Sequence, residues 1–175
     1  MVEDDAVTLA RTCFLDEGNA FGCAETTFIV LKRAFGLDEP MDASAAMALN
    51  GGVAYGGGAC GAITGAALAV GLLAARRIED HRAAKRAARE LVAGLMDGFR
   101  AEHGAVDCRD LIGYDLRAPG QHEAFIAGGL WRERCMRQIE FAVTRLVPLA
   151  EEAAWAAAVR DLDLAAPSSG AGSSR

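Results

Sequence analysis

The sequence predicts an all-α protein, folded as a compact multi-helix bundle with a glycine-rich loop ahead of a central buried helix. Apolar residues recur at helical spacing in several segments, and no period-two alternation persists long enough to indicate a sheet. Hydrophobic residues make up 52% of the chain, aromatic residues only 6%, and 20 glycines are present. We therefore expect a core of small side chains between closely packed helices.

The first half of the chain predicts four helices separated by short breaks. Gly36 ends the second helix and Pro40 precedes the third, as these residue types commonly do. Six glycines fall within residues 51–61 and give that segment backbone freedom. The predicted helices are 3–15, 21–35 with Cys23 in its first turn, 41–49, and the buried helix 60–75.

The second half predicts further helices and a terminal tail. A charged helix at 78–99 carries Arg82, Lys85, Arg86 and Arg89 on one face. A short helical turn at 108–113, a loop at 114–120 and two helical runs at 121–134 and 136–159 follow, and the two runs could continue through Cys135. Pro148 should kink or break the second run. We expect residues 1–160 to form a single helical domain and the Ser/Gly-rich residues 161–175 a flexible tail.

Charge and the N-terminal sequence limit the partners and the compartment. A net charge of −6 argues against a nucleic-acid partner, because phosphate binding needs a local surplus of lysine and arginine. The acidic start MVEDDAV matches neither a secretory signal nor a transit peptide, so a cytoplasmic protein with reduced thiols is expected.

A membrane helix has to be weighed, because residues 51–75 carry no charge and contain Gly57, Gly61 and Gly65 at four-residue spacing. The glycines make its first part a poor helix former, and the strongly apolar part, 62–75, has the length of a buried core helix. We expect no membrane span.

Closely packed Ala/Gly helices also make a homodimer the expected assembly.

Four of the five cysteines occupy settings that suit chemistry. Cys23, Cys60 and Cys108 stand at predicted helix starts, where unpaired N–H groups and the helix dipole stabilise a thiolate and lower its pKa. Cys135 lies among arginines that favour the anion similarly. Cys13 lies on the apolar stripe of the first helix and is expected to be a packing residue.

No two cysteines show the C-x-x-C spacing of dithiol or zinc-ribbon motifs, so a shared site must be assembled by the tertiary fold. Four thiolates could hold an iron–sulfur cluster or a closed zinc site, or they could form two thiol–disulfide pairs. If a cluster is present, the backbone N–H groups of glycines near Cys60, namely Gly58 and Gly61, should donate to cluster sulfurs.

Histidines and acidic residues are poorer candidates than the cysteines for metal ligands or catalytic groups. His81 and His103 occupy ordinary solvated positions, and His122 is a slightly better candidate ligand because it precedes the helix that carries Cys135. The acids flanking cysteines, Glu25, Asp107 and Asp110, are expected mainly to cap helices. The glycine run lacks the Gly-Lys-Ser/Thr of a phosphate loop.

Over residues 14–146 the chain resembles a family of redox-active proteins named for a C…GCAxxG…C…C pattern. Its glycine-rich hexapeptide, written CGAxxG, corresponds to Cys60-Gly61-Ala62-Ile63-Thr64-Gly65. The other family cysteines match Cys23 in Cys-Ala-Glu, Cys108 ahead of Leu111-Ile112-Gly113, and Cys135. Cys13 is outside the pattern.

The resemblance implies a helical four-cysteine redox domain. A similar domain occurs beside haem modules in split-Soret-type cytochromes, where an iron–sulfur cluster is associated with it. That likeness favours a cluster over zinc, with Cys23, Cys60, Cys108 and Cys135 as its ligands. This chain has no haem-attachment motif.

The resulting hypothesis is a redox-active protein that binds an iron–sulfur cluster and serves in electron transfer or cluster-dependent chemistry. A redox partner protein is then expected beside the homodimer. Two alternatives stay open: a metal-free thiol–disulfide redox protein, and a non-catalytic helical interaction or membrane-associated module.

Overall fold

The computed structural model describes residues 1–18, 20–160 and 162. Within these residues the protein is all-α, as predicted, and contains no strand beyond an isolated antiparallel bridge between Ala59 and Asp107. Two short 3-10 helices, Ser44–Leu49 and Val147–Ala150, join the α-helices. The α-helices are α1 (Glu3–Phe14), α2 (Cys23–Ala34), α3 (Gly61–Arg77), α4 (His81–His103), α5 (Cys108–Ile112), α6 (Gln121–Ala127), α7 (Leu130–Leu146) and α8 (Glu152–Val159).

Helix α3 is the buried centre of the bundle, and it follows the glycine-rich loop as the sequence predicts. It packs against α2, α4 and α7. Its buried side chains are mostly small, so the neighbouring helices approach closely. They include Ala62, Ala66, Ala69, Val70 and Leu73, each of them fully shielded from solvent.

Helix α2 begins where Glu25, in its first turn, caps the residue that precedes it, which is one half of a capping box. The carboxylate of Glu25 accepts a hydrogen bond of 2.9 Å from the backbone N–H of Gly22, the residue that precedes the helix. This confirms the expectation that Glu25 caps a helix. This bond fixes Gly22 as the N-cap, so that α2 begins at Cys23.

Helices α3 and α4 form a hairpin joined by residues 78–80. The side chain of Asp80 caps the start of α4 by accepting a hydrogen bond of 2.8 Å from the backbone N–H of Ala83. The helix ends at Gly104, which has the left-handed backbone conformation. The basic face predicted for this helix points outward, while Ala83, Ala84, Ala87, Leu95 and Phe99 are buried against the core.

Two predicted helix boundaries are wrong. The helix expected at 41–49 is only a 3-10 helix that starts at Ser44. The helical run expected at 121–134 is broken at Gly128 and Gly129, where Gly129 has a φ of 68°, and of the two alternatives at Cys135 the continuous helix is the one observed. Helix α7 therefore runs through Cys135. The break expected at Pro148 is confirmed as the second 3-10 helix.

No helix among the described residues is both long and apolar enough to cross a membrane. The tail predicted at 161–175 lies outside the described residues, except for Leu162.

A candidate four-cysteine site

Three of the four candidate cysteines line one cavity. Cys23 at the start of α2, Cys108 at the start of α5 and Cys135 in α7 share a cavity of about 170 Å³. Cys60, which immediately precedes α3, does not line the cavity; it is 2% exposed and lies close enough to the other three thiols to interact with them electrostatically. The fold thus gathers four cysteines that are dispersed over more than a hundred positions of the sequence.

The end of the glycine-rich loop places Cys60 and Cys108 side by side. The N–H of Cys60 donates to the carbonyl of Val106 at 2.8 Å, and the N–H of Cys108 donates to the carbonyl of Gly58 at 2.6 Å. These bonds flank the bridge between Ala59 and Asp107. The two cysteines therefore enter their helices from paired segments of backbone.

Helices α2 and α3 meet at their N-termini through glycines of the hexapeptide. A β-carbon on Gly61 would overlap the sulfur of Cys23, and one on Gly65 would overlap the carbonyl oxygen of Ala24. Only glycine at both positions lets the backbone of α3 lie against Cys23. The spacing of the hexapeptide is thus explained by helix packing next to the site.

Asn50 links the start of α2 to the glycine-rich loop. Its Nδ2 donates to the Glu25 carboxylate at 2.8 Å and to the carbonyl of Met47 at 3.1 Å. Its Oδ1 accepts from the N–H of Ala24 at 2.9 Å and lies 3.9 Å from the sulfur of Cys23. Sequence reasoning did not find Asn50, because its partners are about 25 residues away; its place just before the glycine run was the one available signal.

Cys60 has a polar neighbour that the sequence also did not reveal. Its thiol donates to Oε1 of Gln138 at 3.4 Å, and Gln138 is itself buried on α7. A glutamine among the exposed arginines of this helix gives no local sign of facing the core. Only the packing of α7 against α3 makes its role visible.

Backbone N–H groups surround the sulfur of Cys23. Burial raises the pKa of this thiol, and the N–H groups of Gly51, Ala24, Cys23 itself and Gly61 act in the opposite direction. Such groups stabilise negative charge on sulfur once a thiolate is present. Gly61 is one of the two glycines predicted as donors to cluster sulfurs; the N–H of the other, Gly58, donates to the carbonyl of Gly52 at 3.1 Å.

The other three thiols are shielded and lie close enough to one another to interact electrostatically. Burial raises the pKa of Cys108 to about 12 and also raises the pKa values of Cys60 and Cys135, with the neighbouring sulfurs adding to the effect. The expectation that helix starts lower these pKa values is therefore wrong for the metal-free protein. Desolvation outweighs the helix N–H groups, and Arg134 offsets it only in part at Cys135.

The wall opposite the thiols is aromatic and aliphatic. Phe14, Phe125 and Trp131 are buried there, with Phe14 and Trp131 in edge-to-face contact at 5.4 Å between ring centroids. His122 also lines the cavity, and its ring contacts that of Tyr55 at a tilt of 43°, with 5.0 Å between the ring centroids. Among the residues that the structure describes, no Asp, Glu, Lys or Arg side chain lines the cavity.

Cys13 is separate from this site. It packs with Ile29 and Ala43 in a small apolar cluster and does not line the cavity. Its role as a packing residue is the one expected from the stripe of α1. All five cysteines are free thiols in this structure.

The arrangement does not form a site for a single metal ion. Within the described part of the chain, no three His, Cys, Asp or Glu side chains converge closely enough to hold one ion. A closed tetrahedral zinc site would need four sulfurs about 2.3 Å from one point. An iron–sulfur cluster distributes its thiolate ligands around several iron atoms, so its ligands need no common centre.

The fold and the site define an all-α protein that gathers four thiols at one cavity. A family model described as "Putative redox-active protein (C_GCAxxG_C_C)" matches residues 21–148. The chain belongs to this family, and the resemblance seen in its sequence is confirmed. No curated protein has a significant match to the chain. No solved structure has one either.

Proposed function

We propose that this protein is a redox protein that binds an iron–sulfur cluster at the four-cysteine cavity and uses it in electron transfer or cluster-dependent chemistry. The observation that carries the proposal is the convergence of Cys23, Cys108 and Cys135 on one cavity, with the buried Cys60 close enough to interact electrostatically with all three. Thiolates are the ligands that iron–sulfur clusters use in proteins.

The residues around the sulfurs fit such a group. The N–H groups of Gly51, Ala24 and Gly61 face the sulfur of Cys23, where they would stabilise the charge of a bound thiolate. The apolar wall of Phe125 and Trp131 would exclude water from the centre. When bound, the cluster would supply a one-electron carrier, and the chain would tune its potential through these N–H groups and through burial.

The same surroundings argue against metal-free thiol–disulfide exchange as the main activity. Exchange needs a thiolate, and catalytic cysteines of that kind have lowered pKa values. Here burial raises the pKa of all four thiols, and three of them are at most 8% exposed. Iron would compensate for this desolvation because it binds the sulfurs as thiolates.

Anaerobic purification tests the proposal. The protein should be brown, with iron and acid-labile sulfide in similar amounts and with visible absorption that dithionite bleaches. Serine variants of Cys23, Cys60, Cys108 and Cys135 should each lose most of the iron. Cys13→Ser is the matched control and should retain it, since Cys13 is equally buried but packs elsewhere.

A folded protein that stays free of iron and sulfide after anaerobic reconstitution would contradict the proposal. Reversible formation of disulfides among these cysteines in a redox buffer would then favour the thiol–disulfide alternative. Equal iron loss in Cys13→Ser would show that the assay reports folding rather than ligation.

A further inference from the structure

Helix α6 forms one wall of the cysteine cavity and is held there by few contacts. It contributes His122, Phe125 and Ile126 to the lining, and Phe125 is its one buried residue. The ring of His122 contacts that of Tyr55, and the ring of Phe125 contacts that of Tyr114, with 5.0 and 5.4 Å between the centroids. In the described part of the chain, α6 makes no hydrogen bond or ion pair with residues outside 118–129. Apolar and ring contacts therefore hold this helix against the cavity.

A glycine in the left-handed conformation stands at each end of α6. Gly120, which precedes the helix, has a φ of 75°, and Gly129, which separates it from α7, has a φ of 68°. A β-carbon at either position would have no atom within 4 Å, so the backbone conformation rather than crowding favours glycine there. Positions of this kind can absorb the changes in φ and ψ that a moving segment needs.

The segments on the outer sides of these two glycines are anchored. Ahead of the first glycine, the guanidinium of Arg117 donates from Nε and Nη2 to the carbonyl of Ala54 at 3.0 and 2.9 Å. The carboxylate of Asp115 accepts the N–H of Arg117 at 3.2 Å and forms an ion pair with Arg109, also at 3.2 Å. After the second glycine, Trp131 of α7 is buried in the core. The glycines thus join α6 to a fixed frame at both ends.

The wall formed by α6 shields thiols that a cluster would have to reach. Cys108 and Cys135 line the cavity and are 6% and 8% exposed, and Cys60 is 2% exposed. A centre bound by buried ligands needs an entry path through the folded protein. Helices α2 and α7 carry cysteines themselves and pack against each other in the core. Displacement of α6 therefore opens the cavity with the least disruption of the bundle.

We propose that α6 is a hinged lid on the four-cysteine cavity and that iron and sulfide reach the thiols when it opens. The hinges are Gly120 on one side and Gly129 on the other. The passage of iron rests on the proposed function, whereas the opening of the lid is a property of the metal-free fold. Lids of binding sites are drawn from the segments of a protein that open locally at low free-energy cost.

Alkylation of the reduced, metal-free protein by iodoacetamide measures the opening, with the rate at Cys135 read by mass spectrometry. Below the unfolding transition, this rate should depend on urea much less steeply than the free energy of global unfolding does, because a lid exposes little surface. A dependence as steep as that of global unfolding would show that Cys135 becomes accessible only when the whole protein unfolds, and it would overturn the lid.

Gly120→Ala and Gly129→Ala should favour the open lid, because alanine disfavours the left-handed φ of the closed state. We expect Cys135 to react about fivefold faster in each of these lid variants. Gly104→Ala is the matched control, because Gly104 ends α4 with a φ of 82° and likewise has no atom within 4 Å of its β-carbon position. Urea unfolding should show a similar loss of global stability in all three variants, but Gly104→Ala should keep the wild-type rate at Cys135.

A labelling rate at Cys135 that rises equally in the lid variants and in Gly104→Ala would overturn the lid, because labelling would then follow global stability. Wild-type rates in both lid variants would overturn it as well.

Anaerobic iron uptake separates this proposal from the proposed function. The initial rate of uptake should rise in the two lid variants by about the same factor as the labelling rate at Cys135. Lid-dependent labelling in a protein that takes up neither iron nor sulfide would retain the lid and contradict the proposed function. Stable iron binding with equal labelling in all variants would retain the proposed function and contradict the lid.

Discussion

Gly61 stands so close to Cys23 that a β-carbon on residue 61 would overlap the cysteine sulfur. The same glycine directs its N–H toward that sulfur. One position therefore provides both the close approach of α3 to α2 and a hydrogen-bond donor to the candidate ligand. Replacing the glycine tests both properties together.

Gly61→Ala should destabilise the protein by about 1–3 kcal/mol and should lower its iron content, because the added methyl must displace the sulfur of Cys23 or separate the two helices. Gly71→Ala is the matched control on the same helix, since no atom lies within 4 Å of its β-carbon position. That variant should gain about 0.5–1 kcal/mol, as alanine favours helices over glycine.

Urea unfolding and iron analysis of both variants check this prediction. A Gly61→Ala protein as stable and as rich in iron as Gly71→Ala would show that the approach of Gly61 to Cys23 is not required.

The hexapeptide was the part of the site that the sequence predicted best. Its glycines and Cys60 form a local pattern, and the helix starts at Cys23, Cys60 and Cys108 follow from local signals. The direction of the thiol pKa shifts was predicted wrongly, because helix placement is local whereas burial by α7 and the aromatic wall arises only on folding. Asn50 and Gln138 were missed for the same reason.

The fold class and most helices could be predicted because hydrophobic periodicity records which face of each helix is buried. The break at Gly128 and Gly129 could not be predicted, since the helical pattern runs on through it without a proline. The glycines of residues 51–61 predict backbone freedom, and Gly51 and Gly52 do have positive φ. The left-handed conformation continues through Val53 and Tyr55, which local sequence does not predict; tertiary contacts of this turn include the bond from Arg117 to the carbonyl of Ala54.

Asn50→Leu should destabilise the protein by about 2 kcal/mol or more, because the buried carboxylate of Glu25 and the N–H of Ala24 both lose a partner. Asn50→Asp keeps the shape but places a second carboxylate where Nδ2 now lies, 2.8 Å from Glu25. The loss of stability in Asn50→Asp should be large at pH 8 and smaller at pH 5, where protonation of the carboxylate pair relieves the repulsion.

Thermal unfolding at both pH values measures the two effects. An Asn50→Asp deficit that does not change with pH would argue that the contact with Glu25 contributes little to stability.

Gln138 should affect the potential of a bound cluster through its contact with Cys60. Gln138→Leu removes a polar group beside the sulfur, and Gln138→Glu adds a negative charge that opposes reduction. We expect the midpoint potential to be highest in the wild type, lower in Gln138→Leu and most negative in Gln138→Glu. Spectroscopic redox titration measures them, and identical potentials in all three proteins would contradict a role for this side chain.

The metal-free protein should lose stability as the pH rises above about 9. The unfolded thiols release their protons near 9, whereas burial raises the pKa of folded Cys108 to about 12. Between these values the folded state holds the proton and the unfolded state does not, so the free energy of unfolding falls as the pH increases. Each such thiol contributes a slope of about 1.4 kcal/mol per pH unit.

Urea unfolding of reduced, metal-free protein between pH 8 and pH 10.5 measures this slope. Cys108→Ser removes one thiol from the set. The free energy of unfolding should then fall less steeply with pH, by the slope that one proton contributes, while the contribution of lysines and tyrosines stays unchanged. Parallel curves for the wild type and Cys108→Ser would mean that Cys108 is not shielded from solvent in the metal-free protein. A shallower wild-type curve would reverse the sign and exclude desolvation as the dominant influence on this thiol.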